Sequence, residues 1–259
     1  MATVGERAPG SVCWVELRTH HPEEAKEFYA ALFGWDFDDT VFGSDEAYSV
    51  GHKNGRDAAA LCRLPARVLE QGVTPYWLCY FSVPSADEAV ARANALGGTS
   101  VVAPFDAPDH GRMALVRDPS GATFAVWQAI RHHGIGVVDE PGSLCWSEIM
   151  THDVDQAATF YTGLFSWKTR KWPGPVDYTI FRRGQASVAG MIALSGPLQA
   201  MPSQWMVHFA VADCDASAAA TLRLGGSVLI APSDLVNVGR YALLRDPHGV
   251  PFCVLHSTA

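Results

Sequence analysis

Apolar and polar positions along the chain predict short strands and amphipathic helices in turn. Residues 11–17 form a short apolar-rich run that is typical of a strand. The segment His21-Pro22-Glu23-Glu24 predicts a helix start, because proline suits the first helical position and acidic residues suit the positive end of the helix dipole. The helix is predicted to end at Gly34. The apolar residues at helical spacing, which predict its buried face, are Ala25, Phe28, Tyr29 and Leu32.

A second helix follows, with strands on either side of it. Ser85 is the predicted N-cap of a helix over 85–96, and Gly97-Gly98 is its predicted stop. The segment Asp118-Pro119-Ser120-Gly121 predicts a tight turn between antiparallel strands. The other strands are predicted near 46–51, 58–63, 77–83, 99–103, 112–117 and 122–128. One copy of the pattern is therefore two βαβββ units.

The whole pattern occurs twice. Residues 10–35 align with 142–167, and residues 77–128 align with 205–256. The period is too long for a solenoid and indicates a duplicated domain. We predict domains over 8–129 and 142–259, joined by a Gly- and Pro-containing linker over 130–141.

Composition and charge limit the kinds of partner that we expect for the protein and the cellular compartment in which we expect it. The chain has 259 residues, 48% of them hydrophobic, and a formal net charge of −8. No run of Lys and Arg is longer than two residues, so we expect no nucleic-acid binding. No apolar stretch approaches the roughly 20 residues of a membrane span, and the N-terminus lacks the apolar core of a signal peptide. The six cysteines form no C-x-x-C pair, so we expect a cytoplasmic protein with reduced cysteines.

Several motifs together resemble the glyoxalase/bleomycin-resistance/extradiol-dioxygenase superfamily, also called vicinal oxygen chelate. They are Phe-Tyr-x-x-Leu-Phe-x-Trp at 28–35, Leu-Gly-Gly at 96–98, and Gly-Arg-x-x-Leu-x-x-Asp-Pro-x-Gly-x-x-Phe at 111–124. Trp-x-Glu on the first strand and the tandem arrangement resemble the subgroup described as hydroxylase-like or antigen-like glyoxalase proteins. The resemblance implies an α+β fold of four βαβββ units. These would form two glyoxalase-like domains, each a U-shaped mixed or antiparallel sheet around a cavity.

Metal-dependent members of this family bind one divalent metal through His, Gln or Glu on the first and last strands of the units. The corresponding positions here are Trp14, Leu78 and Ala125 in one copy and Trp146, Met206 and Cys253 in the other. Most of these side chains offer no donor, and one cysteine without partners is not a metal site. We therefore predict no cofactor and keep a divalent-metal enzyme as an alternative.

Strand alternation places further side chains in the cavities that the resemblance implies. In the first copy they are Trp14, Glu16, Tyr80 and Trp127, and in the second copy they are Trp146, Glu148, His208 and Leu255. Glu16 and Glu148 are candidate general bases or ligand acceptors. Their alternative is a structural carboxylate paired with Arg112 or Arg240, which we also place among the ligand-binding candidates. His208 beside Glu148 is a candidate acid–base pair.

For several other residues the sequence predicts a position in the fold and no chemical role. Tyr29, Phe33 and Trp35 follow helical spacing and are predicted to be core, as are their counterparts in the second copy. His20-His21 and His132-His133 are predicted to lie at the surface, without the spacing of a zinc helix. Loops at 106–110 and 233–237 either rim the cavities or are solvated connectors.

Three functions remain open. The first is acid–base chemistry on an aromatic or polyketide-like metabolite by a lyase, isomerase, cyclase or hydroxylation-assisting protein, with Glu148, His208 and Glu16 as catalytic candidates. The second is non-catalytic binding or sequestration, in which Trp14, Trp146, Tyr80 and Trp127 would dominate. The third is the metal-dependent enzyme. The expected partner is a small organic molecule, with a partner oxygenase as an option, and both a monomer and a homodimer stay open.

Overall fold

A computed structural model of the protein describes residues 7–42, 46–65, 68, 70 and 72–258. Residues 1–6 lie outside this part. They are most of the segment on which the signal-peptide prediction rests. In the first domain, one βαβββ unit comprises β1 (Val12–Thr19), α1 (Pro22–Phe33), β2 (Asp36–Phe42), β3 (Glu46–Lys53) and β4 (Arg56–Arg63). The next unit comprises β5 (Tyr76–Ser82), α2 (Ala86–Ala95), β6 (Thr99–Ala107), β7 (Gly111–Arg117) and β8 (Thr123–Ala129).

The second domain repeats this order. Its first unit comprises β9 (Leu144–Thr151), α3 (Val154–Phe165), β10 (Lys168–Lys171), β11 (Tyr178–Arg183) and β12 (Ala186–Ala193). Its second unit comprises β13 (Gln204–Ala210), α4 (Cys214–Arg223), β14 (Ser227–Leu235), β15 (Gly239–Arg245) and β16 (Pro251–Ser257). None of the helices in the described residues is long and apolar enough to cross a membrane.

Each domain is one mixed eight-stranded sheet. The strand order is β2-β3-β4-β1-β5-β8-β7-β6 in the first domain and β10-β11-β12-β9-β13-β16-β15-β14 in the second. The two units of a domain meet along the antiparallel pairs β1/β5 and β9/β13, while β1/β4 and β5/β8 are parallel. The predicted α+β class with four βαβββ units is confirmed.

Local sequence explains the helix ends. The Ser85 hydroxyl accepts a hydrogen bond from the Glu88 backbone N–H at 3.2 Å, as expected of an N-cap. Gly34 adopts a left-handed conformation (φ 67°) at the end of α1, where a side chain would be strained. Strand β2 was missed by the prediction, because Asp36, Asp38 and Asp39 are typical of a loop and their side chains are exposed at the sheet edge.

The two domains share one core, and in it a tyrosine of each domain donates a hydrogen bond to an aspartate of the other. The Tyr29 hydroxyl of α1 donates to Asp246 Oδ2 of the second domain at 3.2 Å. Reciprocally, the Tyr161 hydroxyl of α3 donates to Asp118 Oδ2 of the first domain at 2.8 Å. Both tyrosines are fully buried. The predicted core role of Tyr29 and Tyr161 thus includes joining the domains.

The linker is packed rather than solvated. Ile135 and Val137 are buried, and the Ile135 N–H donates to the Cys13 carbonyl at 2.8 Å. Gly134 (φ 107°) passes so close to Cys13 that an added Cβ would collide with its carbonyl oxygen. The path of the linker is therefore fixed against β1.

Candidate functional site

Each sheet encloses a cavity on the face away from the other domain. The N-terminal cavity measures about 640 Å³ and the C-terminal cavity about 590 Å³, sizes typical of small-molecule sites. Strand alternation explains the lining, because Tyr80 and His208 face the cavities while the next residues, Phe81 and Phe209, lie in the shared core. The N-terminal lining includes Trp14, Glu16, Arg18, Tyr48, Tyr80, Trp127 and His132.

A buried carboxylate–imidazole pair lies in the C-terminal cavity. Glu148 on β9 and His208 on β13 are 7% and 8% exposed, and His208 Nε2 lies 3.3 Å from Glu148 Oε1. This approach lacks hydrogen-bond geometry, so the buried Nε2 has no hydrogen-bond partner within the protein. The other carboxylate oxygen of Glu148 accepts from the Tyr178 hydroxyl at 2.7 Å.

The pair favours charge separation. Burial alone would raise the pKa of Glu148, but the charge of the nearby His208 and the hydrogen bond from Tyr178 lower it below its usual value. Burial alone would lower the pKa of His208, but Cys253 and Glu148 outweigh it and raise that pKa to about 10. Burial raises the pKa of Tyr178, so this phenol stays neutral and remains a donor to Glu148. At neutral pH the cavity therefore holds a carboxylate beside an imidazolium.

Aromatic and aliphatic side chains surround this pair. The Trp146 indole N–H donates to the Tyr178 hydroxyl at 2.7 Å, which fixes both rings in the wall. Cys145 also lines the cavity, but burial raises the pKa of its thiol to about 12, so it is no thiolate nucleophile at neutral pH. The remaining apolar lining includes Trp172, Val176, Ile180, Ile192, Leu235, Val238, Tyr241 and Leu255.

The N-terminal cavity holds the equivalent carboxylate with a different cation. Glu16 on β1 is 3% exposed and accepts from Arg18 Nε at 2.8 Å and from the Tyr80 hydroxyl at 2.9 Å. Tyr80 occupies the place of His208, and in the second domain Met150 stands where Arg18 is. The Trp14 indole N–H donates to the Tyr48 hydroxyl at 3.0 Å, as Trp146 does to Tyr178. This cavity thus presents a carboxylate neutralised by a permanent cation.

An aromatic cluster forms one side of the N-terminal cavity. The rings of Trp14 and His132 meet edge to face with centroids 4.7 Å apart, and the Trp127 indole N–H donates to the His132 carbonyl at 2.9 Å. Burial lowers the pKa of His132, so its imidazole is neutral at pH 7. The prediction that His132 lies at the surface was wrong, because the packed linker brings His132 into the cavity wall. His52 and His110 also line this cavity.

The structure does not bring Arg112 or Arg240 into either cavity. Arg112 pairs in register with Gln128, whose side chain bonds to the start of α2, whereas the neighbouring pair Met113 and Trp127 faces the cavity. Arg112 forms ion pairs with Asp87 at 2.7 Å and Asp106 at 2.8 Å on the outer face. Arg240 is bound in the same way by Asp215 and Asp234. Neither arginine neutralises Glu16 or Glu148, and strand register places both outside the cavity linings, so their role in ligand binding stays a prediction.

Sequence reasoning also missed Arg18, Tyr48 and Tyr178. Arg18 lies two residues after Glu16, so strand alternation alone placed it on the cavity face. Tyr48 and Tyr178 occupy equivalent positions in the two copies, a repetition that marks them as part of the cavity design. The segments 106–110 and 233–237 do contribute lining residues at the cavity rims.

The cavity residues do not fit the divalent metal that the resemblance implies. A catalytic metal site needs about three protein donors. In the C-terminal cavity Glu148 and His208 are two, and Cys253, which pairs with His208 in register on the last strand, does not complete a group of three donor atoms within 4.8 Å of one another. Within the described part of the chain, neither cavity gathers three imidazole, thiol or carboxylate donors at the spacing of one ion.

Comparisons with known proteins agree with the architecture. The family model described as "Glyoxalase/Bleomycin resistance protein/Dioxygenase superfamily" matches residues 11–126, and one described as "Glyoxalase-like domain" matches residues 146–255. A protein of Mycobacterium tuberculosis named "Putative glyoxylase CFP32" is 38% identical over 253 residues, covering 96% of each chain. "Anthracycline biosynthesis protein DnrV" of Streptomyces peucetius is 35% identical over 263 residues, covering 96% of this chain and 94% of its own.

Solved structures share the fold at low sequence identity. The Mn(II)-bound glyoxalase from Novosphingobium aromaticivorans superposes with a TM-score of 0.63 at 14% identity. The match covers 96% of this chain and 83% of that chain. At this identity the likeness concerns the fold, and chemistry must be argued from the cavity residues.

Proposed function

The chain belongs to the glyoxalase/bleomycin resistance protein/dioxygenase superfamily, and from this membership and the C-terminal cavity we propose that it moves a proton on a small aromatic or polyketide-like metabolite. The proposed activity is that of a lyase, isomerase or cyclase that uses no metal. The observation that carries it is the buried Glu148–His208 pair, whose Nε2 lacks a hydrogen-bond partner inside an aromatic cavity.

The roles follow from the charges. Glu148 is the base that takes a proton from a carbon next to a ligand carbonyl, and His208 is the acid that gives its Nε2 proton to the carbonyl oxygen. One proton leaves carbon, one arrives at oxygen, and the product is the enol with a neutral pair. Return of a proton to another carbon isomerises the ligand, and loss of a β-leaving group makes the reaction an elimination. Tyr178 positions Glu148 through its 2.7 Å bond.

The ligand class follows from the walls. Trp146, Trp172, Tyr178 and Tyr241 give flat contact surface in a cavity of about 590 Å³. Planar fused-ring ketones and phenols suit such walls, and one relative is named for anthracycline biosynthesis. This combination supports an aromatic polyketide-like ligand.

The experiment measures proton exchange directly. Hydroxylated anthrones are incubated with the protein in D₂O, and deuterium incorporation at the enolisable carbon is followed by mass spectrometry. We expect incorporation above the spontaneous rate with the natural protein and none above it with Glu148→Gln. Asp215→Asn, in an exposed ion pair of the same domain, is the matched control and should retain incorporation. Equal incorporation by Glu148→Gln and the natural protein would overturn the proposal.

A second function, binding without chemistry, is favoured for the N-terminal cavity by the Glu16–Arg18 pair. The Arg18 guanidinium stays charged at all relevant pH values, so the cation beside Glu16 does not supply a proton. The test measures how strongly a hydroxyanthraquinone quenches the tryptophan fluorescence. Quenching that Glu148→Gln leaves unchanged and Trp14→Ala weakens would support this function. Quenching unaffected by Trp14→Ala would contradict it.

A further inference from the structure

A cluster of metal-binding side chains lies at the domain boundary, outside both cavities. His21 and Glu24 come from the start of α1, and His248 comes from the turn between β15 and β16 of the other domain. One ligand atom from each residue lies within 4.8 Å of the ligand atoms of the other two. We propose that these residues form a Zn²⁺ site that bridges the two domains.

The spacing of the donor atoms suits a small tetrahedral ion. His21 Nδ1 lies 3.2 Å from one carboxylate oxygen of Glu24, Oε1, and His248 Nε2 lies 3.3 Å from the other, Oε2, so the carboxylate lies between the two imidazoles. Ligand bonds of about 2.0–2.1 Å in a tetrahedron put neighbouring ligand atoms roughly 3.4 Å apart. Two imidazoles and one carboxylate are donors that Zn²⁺ prefers, and water can fill the fourth position.

One ring nitrogen of His248 lacks a hydrogen-bond partner. Its Nε2 is buried and has no hydrogen-bond partner, although its side chain is 16% exposed. The imidazoles of His21 and His248 stack in parallel with centroids 4.3 Å apart, so one ring must turn about its side-chain bonds for both nitrogens to point at one ion. The imidazoles of His21 and His248 and the carboxylate of Glu24 are suitable ligands for a divalent cation at this boundary.

The scaffold fixes the backbone segments that carry the donors before any ion binds. Asp246 Oδ1 accepts from the backbone N–H of His248 at 2.9 Å, which fixes the turn. Asp246 Oδ2 accepts from Tyr29 on α1, the helix whose start carries the other two donors. The turn and the helix are therefore registered against each other by a buried bond close to the cluster.

The equivalent place on the other side of the molecule has no such donor set. Asp153, Gln156 and Ser120 stand where His21, Glu24 and His248 stand. Asp153 caps α3 by accepting from the Gln156 N–H at 2.9 Å, and Ser120 donates to Asp118 at 2.8 Å. His21 makes no such cap bond with its side chain. Two of the three differences between the copies, Glu24 for Gln156 and His248 for Ser120, therefore add a metal donor at one boundary, and the third replaces the capping carboxylate of Asp153 by an imidazole.

The test titrates ZnCl₂ into chelator-treated, full-length protein without an affinity tag. We expect one Zn²⁺ per chain by calorimetry and elemental analysis. At 100-fold excess over the dissociation constant, the melting temperature should rise by roughly 5–10 °C, because ligands that bind only the folded state stabilise it. Co²⁺ in place of Zn²⁺ should give the visible absorption of a tetrahedral site.

The decisive variant replaces the cluster by its own counterpart, as His21→Asp, Glu24→Gln and His248→Ser together. It should lose the bound ion and the thermal shift. If it does not fold, the single His248→Ser serves, since the equivalent turn of the first domain already carries Ser120. His132→Gln and His208→Gln remove cavity imidazoles and should keep the thermal shift relative to their own melting temperatures. Absence of saturable Zn²⁺ binding, or binding retained by the triple variant, would overturn the proposal.

Discussion

The N-terminal and C-terminal cavities both place a first-strand carboxylate against a tyrosine hydroxyl, and they differ in the cation beside it. Glu16 is bound by Arg18 at 2.8 Å, whereas Glu148 lies 3.3 Å from the imidazole of His208. A guanidinium does not release its proton in a protein, but an imidazole does. The same fold therefore holds a fixed ion pair in one half and a titratable one in the other.

This difference indicates how a duplicated fold separates binding from chemistry. In each cavity the tryptophan on the first strand keeps its bond to a tyrosine hydroxyl, so this part of the wall is shared. The partners of the carboxylate change, from Arg18 and Tyr80 to Tyr178 and His208. Under our proposal, that change alone makes proton exchange available in the C-terminal cavity.

The largest expected effect is on turnover of an enolisable aromatic ketone. Glu148→Gln removes the base and should lower the turnover rate roughly 10²–10⁴-fold, the usual contribution of a general base. Glu16→Gln, the equivalent change, should alter the rate less than about tenfold, because Arg18, the cation beside Glu16, does not release a proton. Rates are compared by deuterium incorporation under identical conditions. Similar losses in both variants would refute the assignment of chemistry to one cavity.

The next largest effect is on stability, and it is expected when the Glu16–Arg18 ion pair is broken. Arg18→Met, which copies Met150 of the second domain, leaves Glu16 charged and buried, and it should lower the free energy of unfolding by about 3 kcal/mol. The double variant Arg18→Met with Glu16→Gln should recover part of this loss, because no uncompensated charge remains. Urea unfolding followed by tryptophan fluorescence measures both. A double variant no more stable than Arg18→Met would contradict the explanation.

The pH dependence of stability separates the two ion pairs. The folded state raises the pKa of His208 from about 6.5 to about 10. Its stabilisation is therefore complete below pH 6.5 and is lost as the pH rises through about 10, at no more than about 1.4 kcal/mol per pH unit. His208→Gln should flatten the fall in urea midpoint between pH 7 and 10. A slope equal to that of the natural protein would show that other groups cause it.

The smallest effects are expected outside the cavities. Arg112→Gln and Arg240→Gln remove exposed ion pairs on the outer faces, and such pairs contribute little to stability. Ligand affinity measured by tryptophan quenching should stay within about twofold, since neither side chain reaches a cavity. A clear loss of affinity would restore the sequence-based assignment of these arginines to ligand binding.

Repetition and strand alternation made much of the fold and the cavity lining predictable. Trp14, Glu16 and Tyr80, and likewise Trp146, Glu148 and His208, line the cavities because β1/β5 and β9/β13 are regular antiparallel pairs over this stretch. Position on a face follows from a period of two. The catalytic and binding roles of these residues stay predictions.

Other features depended on contacts that local sequence does not carry. Arg112 and Arg240 were misplaced because their faces depend on the register of β7 against β8 and of β15 against β16. His132 enters a cavity only because the linker packs against β1. Strand β2 forms despite its three aspartates because it pairs with β3 at the sheet edge. In each case tertiary packing decides what composition leaves undecided.

The reciprocal bonds from Tyr29 to Asp246 and from Tyr161 to Asp118 have a consequence for ancestry. Each half carries both a donor and an acceptor, so the seam is self-complementary like that of a twofold-symmetric dimer. A single ancestral half could pair with its own copy through the same two bonds. Fusion of two such halves would make the pairing permanent and let each half take on its own task while the seam that joins them stays the same.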